Sequence, residues 1–220
     1  KLVGAVDVMD GKAYKFNADG THTHCESPAD VEEKRGEYRS KMLELIAETD
    51  EELMNKFFEE EPFTKEEIDV GMKNAIRERT MFPVFLGVPT QMFGTKKFIQ
   101  YIVDHFPTPL DVAPAKAGED VVICDENKPT VVRVFKTIAD PFVGKLSYFK
   151  VLSGAIKGDI KLINNRTGNE ERLSKVMWLK AGKQEDAAVI TAGDIGAVAK
   201  LGDVLTGDTL SAKGTVAAKK

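Results

Sequence analysis

Three groups of side chains in this 220-residue sequence could do chemistry. The first is His22-Thr23-His24-Cys25, nitrogen and thiol donors of the kind that bind zinc. A closed zinc site takes four ligands, and outside this stretch only His105 and Cys124 remain, at no recognisable spacing. The stretch reads as a polar surface loop, and no metal is expected. The second group is basic: Lys145, Lys157, Lys161, Arg166, Arg172 and Lys175, with Gly154, Gly158 and Gly168 among them. Cations beside glycines suit contact with a phosphate backbone, because a residue without Cβ allows close approach. The third group is acidic. Asp30, Glu33, Glu37, Glu44 and Glu48 recur at three- and four-residue steps, interrupted at Lys41. That is one stripe of a helix, either a solvated face or a docking face for a basic partner. The sequence has no Gly-x-x-x-x-Gly-Lys-Ser/Thr run, so it lacks the loop that cradles nucleotide phosphates and holds Mg²⁺. No catalytic residue can be assigned.

These groups need elements to position them. The length allows one large domain or two small ones. Hydrophobic content of 42% and charged content of 30% are those of an ordinary soluble protein. No apolar run reaches bilayer-spanning length, and Cys25 and Cys124 read as free thiols of a reducing cytoplasm. Charge is uneven along the chain. Residues 26–80 carry 17 acidic and 9 basic side chains, whereas residues 129–220 carry 9 acidic and 15 basic. The basic half is the better candidate for a phosphate backbone, although dispersed charge of this size also suits a solvated surface.

The chain opens at Lys1 on a strand pattern, which predicts a start inside a domain; residues 3–10 and 13–16 read as strands joined by Asp10-Gly11. Ser27-Pro28 predicts a cap and a first-turn proline for a helix to about residue 47, with Val31, Tyr38, Met42, Leu45 and Ile46 inward. Thr49 with Glu52, and Thr64 with Glu67, predict capping boxes for two more helices. Residues 81–86 read as a buried strand, 87–94 as a loop and 97–106 as a helix with Phe98, Ile102 and Phe106 inward. That makes one α/β unit whose sheet lies mostly outside the chain. Residues 110–128 are polar and read as a linker. Residues 131–138 and 146–152 predict two strands around Asp140-Pro141 and Gly144; 173–179 and 193–199 add more, and together they suggest a small closed β-barrel.

The stretch "TIADPFVGKLSYFKVLSGAIKGD", followed by "AGDIGAV" and "TGDTL", resembles domain II of elongation factor G and its relatives over about ninety residues. "VGAVDVMDGKAYKF", "EYRSKMLELIAETDEELMNKFFEE" and "FTKEEIDVGMKNAIRERTMFPVFLG" resemble the helical insertion of that family's GTPase domain and the return to its core. The resemblance implies an α+β two-domain fragment. Residues 1–109 would be the late part of an α/β GTPase domain with its insertion, 110–128 a linker and 129–220 an all-β barrel of the translation-factor type. It implies a parent that hydrolyses GTP on the ribosome, with GTP or GDP and Mg²⁺ as its cofactors, while these residues alone bind none and catalyse nothing. Gly87-Val88-Pro89-Thr90 fall where the family reads guanine through a backbone N–H. Proline at 89 has none, so Thr90 donates instead or recognition is weakened. The resemblance further implies that Asp30, Glu33 and Glu37 face the ribosomal stalk protein. Lys145, Lys157, Lys161 and Arg166 would face small-subunit ribosomal RNA, with Phe135, Tyr148, Phe149 and Trp178 in core or half-buried places. A monomer in the cytoplasm, with no DNA or membrane partner, is expected. The reading is a translocation factor; a ribosome-protection or other specialised factor of the same superfamily, and a non-catalytic RNA- or protein-binding barrel, are the alternatives.

Overall fold

The computed structural model describes residues 3–117, 120–141, 143–180 and 183–215. Lys1, Gly118 within the expected 110–128 linker and Phe142 within the expected turn lie outside them. The chain divides into two compact units, residues 1–111 and 112–220.

In the first unit, β1 (Gly4–Val6), β2 (Ala13–Phe16) and β3 (His22–Cys25) form an antiparallel sheet with β2 central. The His-Thr-His-Cys stretch is thus a strand and not a loop. All four of its side chains are exposed, so it carries no apolar alternation to read. His24 pairs with Tyr14, and both imidazoles pack on the Tyr14 ring at 5.1 and 4.9 Å.

Helices α1 (Ala29–Ala47), α2 (Glu51–Phe58) and α3 (Lys65–Glu78) pack around Met42, Ile46, Leu53, Met72, Ala75 and Met81. A Cβ on Gly71 would lie 2.5 Å from Ile46 Cγ2, so this glycine permits the close approach of α3 to α1. The α3 capping box forms as predicted: Thr64 Oγ1 accepts from Glu67 N–H at 3.2 Å, and Glu67 Oε2 accepts from Thr64 N–H at 2.8 Å. The α2 cap falls one residue later than predicted. Asp50 accepts from the N–H groups of Glu52 and Leu53, while the Thr49 hydroxyl donates back to Ile46 O. A carboxylate suits the positive helix end better than a hydroxyl. At α1, Pro28 precedes the first helical residue and no side chain caps it, while Tyr38 stands 61% exposed, outside the core.

Residues 81–86 are not a strand. β1, β2 and β3 pair with one another, no described strand pairs with the run, and Phe82, Val84 and Leu86 are exposed. Apolar content alone does not make a strand; its backbone groups need a ladder. Helix α4 (Thr95–His105) is rotated from the expected face. His105 is buried, Tyr101 packs on Phe85 and His105, and Phe98 and Ile102 are partly exposed.

The second unit is all-β. β4 (Ala115–Ala117) and β5 (Asp120–Val122) pair antiparallel within the expected linker, and Val122 packs on Val131 and Leu152. The remaining strands are β6 (Val131–Asp140), β7 (Gly144–Ser153), β8 (Ala155–Lys157), β9 (Ile160–Asn164), β10 (Glu170–Leu173), β11 (Val176–Lys180), β12 (Lys183–Asp186), β13 (Val189–Thr191), β14 (Ile195–Ala199) and β15 (Thr209–Ser211). Eight make one antiparallel sheet in the order β10-β9-β15-β6-β7-β14-β11-β12, and β13 pairs with β8. Leu173 on β10 and Val176 on β11 come from distant places in that order yet share one core with Val132, Val134, Phe149, Val151, Ile156 and Ile190. The sheet must therefore curl, and it forms a half-barrel. Among the described residues no hydrogen-bonded ladder joins β10 to β12, and the curled sheet agrees with the expected β-barrel type. The β6–β7 turn holds as expected, with Val143 N–H donating to Asp140 Oδ1 at 3.0 Å and Gly144 at φ +77°.

Candidate nucleic-acid interface

The half-barrel sorts the basic residues by whether something inside the unit already holds them. Lys145 Nζ donates to Gly202 O at 3.1 Å. Lys161 pairs with Glu170 at 2.6 Å, and Lys175 with Asp186 at 3.1 Å. Arg172 grips Asp159 with two of its nitrogens.

Arg166 is held most firmly. It sits in the β9–β10 turn, where Nε donates to Asp208 Oδ1 at 2.8 Å and Nη2 to Asp208 Oδ2 at 3.0 Å. The buried Asp208 carboxylate also accepts from Asn164 Nδ2 and from Leu205 N–H, both at 2.9 Å. Burial pushes the Asp208 pKa up. The bonds from Arg166, Leu205 N–H and Asn164 outweigh that and bring it down to about 2. Arg166 therefore acts as a brace for the turn, a role that a sequence reading of exposed turn residues misses.

Of the expected contact residues, Lys157 at the end of β8 is exposed and makes no ion pair among the described residues. Gly158 and Gly168 have open space where a Cβ would be, as close backbone approach requires. Gly154 does not: its Cβ would lie 2.6 Å from Thr130 Cα, so it serves packing inside the unit.

A different set of cations stands on the outer face of β6 and β7. Inward Val132, Val134, Phe149 and Val151 turn their neighbours out. Arg133 lies directly across from Lys150, and a bulge at Phe135 brings Lys136 opposite Tyr148. Lys136 Nζ lies 5.7 Å from the centre of the Tyr148 ring. Phe149 is core as expected and Tyr148 and Trp178 are half-buried, but Phe135 is 46% exposed. Period-two alternation was the signal that could have found Arg133 and Lys150. Nothing in the sequence marks the bulge.

In the first unit, residues 87–90 form a tight loop. Val88 and Phe93 exchange backbone hydrogen bonds at 3.0 and 3.2 Å, and Pro89–Gln91 make one 3₁₀ turn. Gly87 is required there, because a Cβ would meet Phe93 O at 2.7 Å. Phe93 anchors the loop by stacking on Phe16 at 4.8 Å. Pro89 has no N–H to give; Thr90 is exposed, and its N–H has no partner among the described residues. This loop could present one donor to a base edge, but no phosphate or Mg²⁺ cradle accompanies it in the sequence. Asp30, Glu33, Glu37, Glu44 and Glu48 are all exposed along α1, and none makes a side-chain ion pair among the described residues. The face is available to a basic partner.

Residues 129–213 match the family model described as elongation factor G domain 2. A crystal structure of a protein from Thermus thermophilus is similar over 98% of this chain at 26% identity, with a TM-score of 0.80. The chain spans 30% of the length of that protein.

Proposed function

The chain is elongation factor G-like and carries domain 2 of that family, and from this premise we propose that it works within a ribosome-dependent GTPase that promotes translocation during protein synthesis. The observation that carries the reading is the domain 2 match over residues 129–213, on a half-barrel whose β6–β7 hairpin holds the resembling stretch. In the parent, GTP or GDP and Mg²⁺ are the cofactors. The residues present do not fit them, since the phosphate loop is absent from the sequence and only the Thr90 N–H offers itself to a base. The partners are ribosomal: small-subunit RNA for the barrel, and the stalk protein for the acidic stripe of α1. Phosphate contact through Lys157, beside the open Gly158, needs no sequence-specific groups. The protein acts in the cytoplasm as a monomer; no helix among the described residues is long and apolar enough to cross a membrane. Residues 1–109 act as the late GTPase-domain part and 129–220 as domain II.

A second reading, a ribosome-protection or other specialised factor, is favoured by one observation. Val88-Pro89 remove a hydroxyl and an N–H from the guanine-reading loop.

Co-sedimentation of the 220-residue chain with ribosomes across a salt series tests the proposal. Binding at low salt that weakens steadily as salt rises is expected for contact with phosphates. Absence of co-sedimentation at every salt concentration overturns it and leaves a barrel with some other partner. Calorimetry should find no micromolar affinity for GTP.

A further inference from the structure

We infer that the outer face of β6, β7 and β14 is a binding surface for single-stranded RNA, with Arg133, Lys136 and Lys150 taking phosphates and Tyr148 taking an unstacked base. The inference deepens the proposed ribosomal role and rests on it for the source of the RNA.

Three observations carry it. First, Arg133 and Lys150 are directly opposed on neighbouring antiparallel strands. Opposed side chains of such a pair stand about 5 Å apart, where like charges destabilise a sheet. Among the described residues neither has an ion pair or a side-chain hydrogen bond, nor does Lys136. Elsewhere in this unit Lys161, Arg166, Arg172, Lys175 and Lys180 are each matched by a carboxylate. Lys157, Lys183 and Lys200 have no such match among the described residues, so what sets Arg133 and Lys150 apart is that two unmatched cations oppose each other. An uncompensated repulsion in the middle of the longest hairpin suits a surface that meets an anion.

Second, the cations frame aromatic surface. Tyr148 is half-buried beneath Lys136, and exposed Phe135 lies on the bulge beside it. Third, the Tyr148 ring borders a shallow groove of about 520 Å³ that runs on to Leu179, Ile195 and Trp178. Ile195 is 50% exposed and pairs with Lys150, so the apolar floor adjoins the charged rim. Asp194 is the acidic group at this groove. Its carboxylate accepts from Trp178 Nε1 at 3.2 Å and from Ile195 N–H at 2.7 Å, which turns it toward the protein.

Cations alone would suit any polyanion. Cations beside a ring and an apolar groove suit one whose charges alternate with flat groups, which is single-stranded nucleic acid. In a duplex the bases are stacked away, and a peptide of acidic residues alone, such as polyglutamate, has no aromatic group to place on Tyr148.

The test uses the 220-residue chain and a fluorescein-labelled oligouridylate, with anisotropy read over a range of KCl concentrations. Replacing Arg133, Lys136 and Lys150 together by Ala should flatten the log–log salt slope by about 2, at roughly 0.7 per phosphate of a single strand. Tyr148→Leu should weaken binding by about 5- to 100-fold with the slope unchanged. A triple variant that binds with wild-type affinity and slope overturns the assignment. So does tighter binding of base-paired RNA of equal length, or displacement of the oligonucleotide by polyglutamate at lower concentration. Should Tyr148→Leu not fold, acetylation of Lys136 and Lys150 in the unaltered chain decides: RNA must protect both, and equal labelling with and without RNA refutes the surface. The two proposals fail separately. Ribosome binding that survives the triple substitution intact removes this surface but not the ribosomal role. Oligonucleotide binding by a chain that never sediments with ribosomes removes the role but not the surface.

Discussion

Replacing Arg166 by Met tests whether this residue is a brace and not a ligand-binding cation. The substitution keeps much of the aliphatic stem and deletes both bonds to Asp208. The Asp208 side chain is 1% exposed and keeps two donors, Asn164 Nδ2 and Leu205 N–H. Orphaning a buried charge costs about 3–5 kcal/mol when nothing else compensates. The remaining donors, and an arginine side chain 36% open to solvent, reduce this to about 2 kcal/mol. The lowered pKa of Asp208 bounds the effect from above: a carboxyl at about 2 in the folded state, against an ordinary value near 4, amounts to about 2–3 kcal/mol for Arg166, Leu205 N–H and Asn164 together, of which the variant keeps the last two. The sign follows from the direction. The folded pKa lies below the unfolded one, so the stabilisation is fully present above about pH 4–5. It is lost as pH falls through about 2. Urea unfolding followed by Trp178, the single tryptophan, reports on this unit. The midpoint should drop at pH 7 with an unchanged denaturant slope. The gap between wild type and Arg166→Met should narrow between about pH 4 and pH 2. A loss below about 0.5 kcal/mol at pH 7, or a gap indifferent to pH, would refute the brace.

Three further outcomes are expected. Gly154→Ala should destabilise the half-barrel by more than about 2 kcal/mol, because its Cβ would meet backbone at 2.6 Å and φ is +74°. Gly168→Ala, with open space around it, should cost only about 1 kcal/mol for its positive φ, and equal melting shifts for the two would contradict the packing argument. Asp50→Ala and Thr64→Ala should each cost the helical unit about 1 kcal/mol by denaturant titration; a larger loss from Thr49→Ala than from Asp50→Ala would return the α2 cap to Thr49. Reversing Glu33 and Glu37 to Lys should slow association with a ribosomal stalk protein in low salt, read by stopped-flow, and an unchanged on-rate would leave the stripe a solvated face.

The sequence by itself determined the features that depend on local chemistry. The Thr64–Glu67 capping box and the turn around Asp140, Pro141 and Gly144 are properties of a few neighbouring residues, and both formed as read. The alternating valines and Phe149 determined which way β6 and β7 face, because burial of one side dictates the other. Tertiary structure decided what depends on a partner. Residues 81–86 had the composition of a strand but found no ladder, and the exposed His-Thr-His-Cys stretch became a strand because Tyr14 and its neighbours lay beside it. Residues 115–122 lacked periodicity, yet two short strands there pair and put Val122 on the core. The basic residues show the same division most sharply. Lysines and arginines are alike in a sequence, and only the fold shows that Arg166 is consumed by Asp208 forty-two positions away while Arg133 and Lys150 face each other with no counter-charge among the described residues. A local pattern can say that a cation is exposed. Whether it is free depends on carboxylates brought from afar by chain topology, and on a one-residue bulge that no local preference announces.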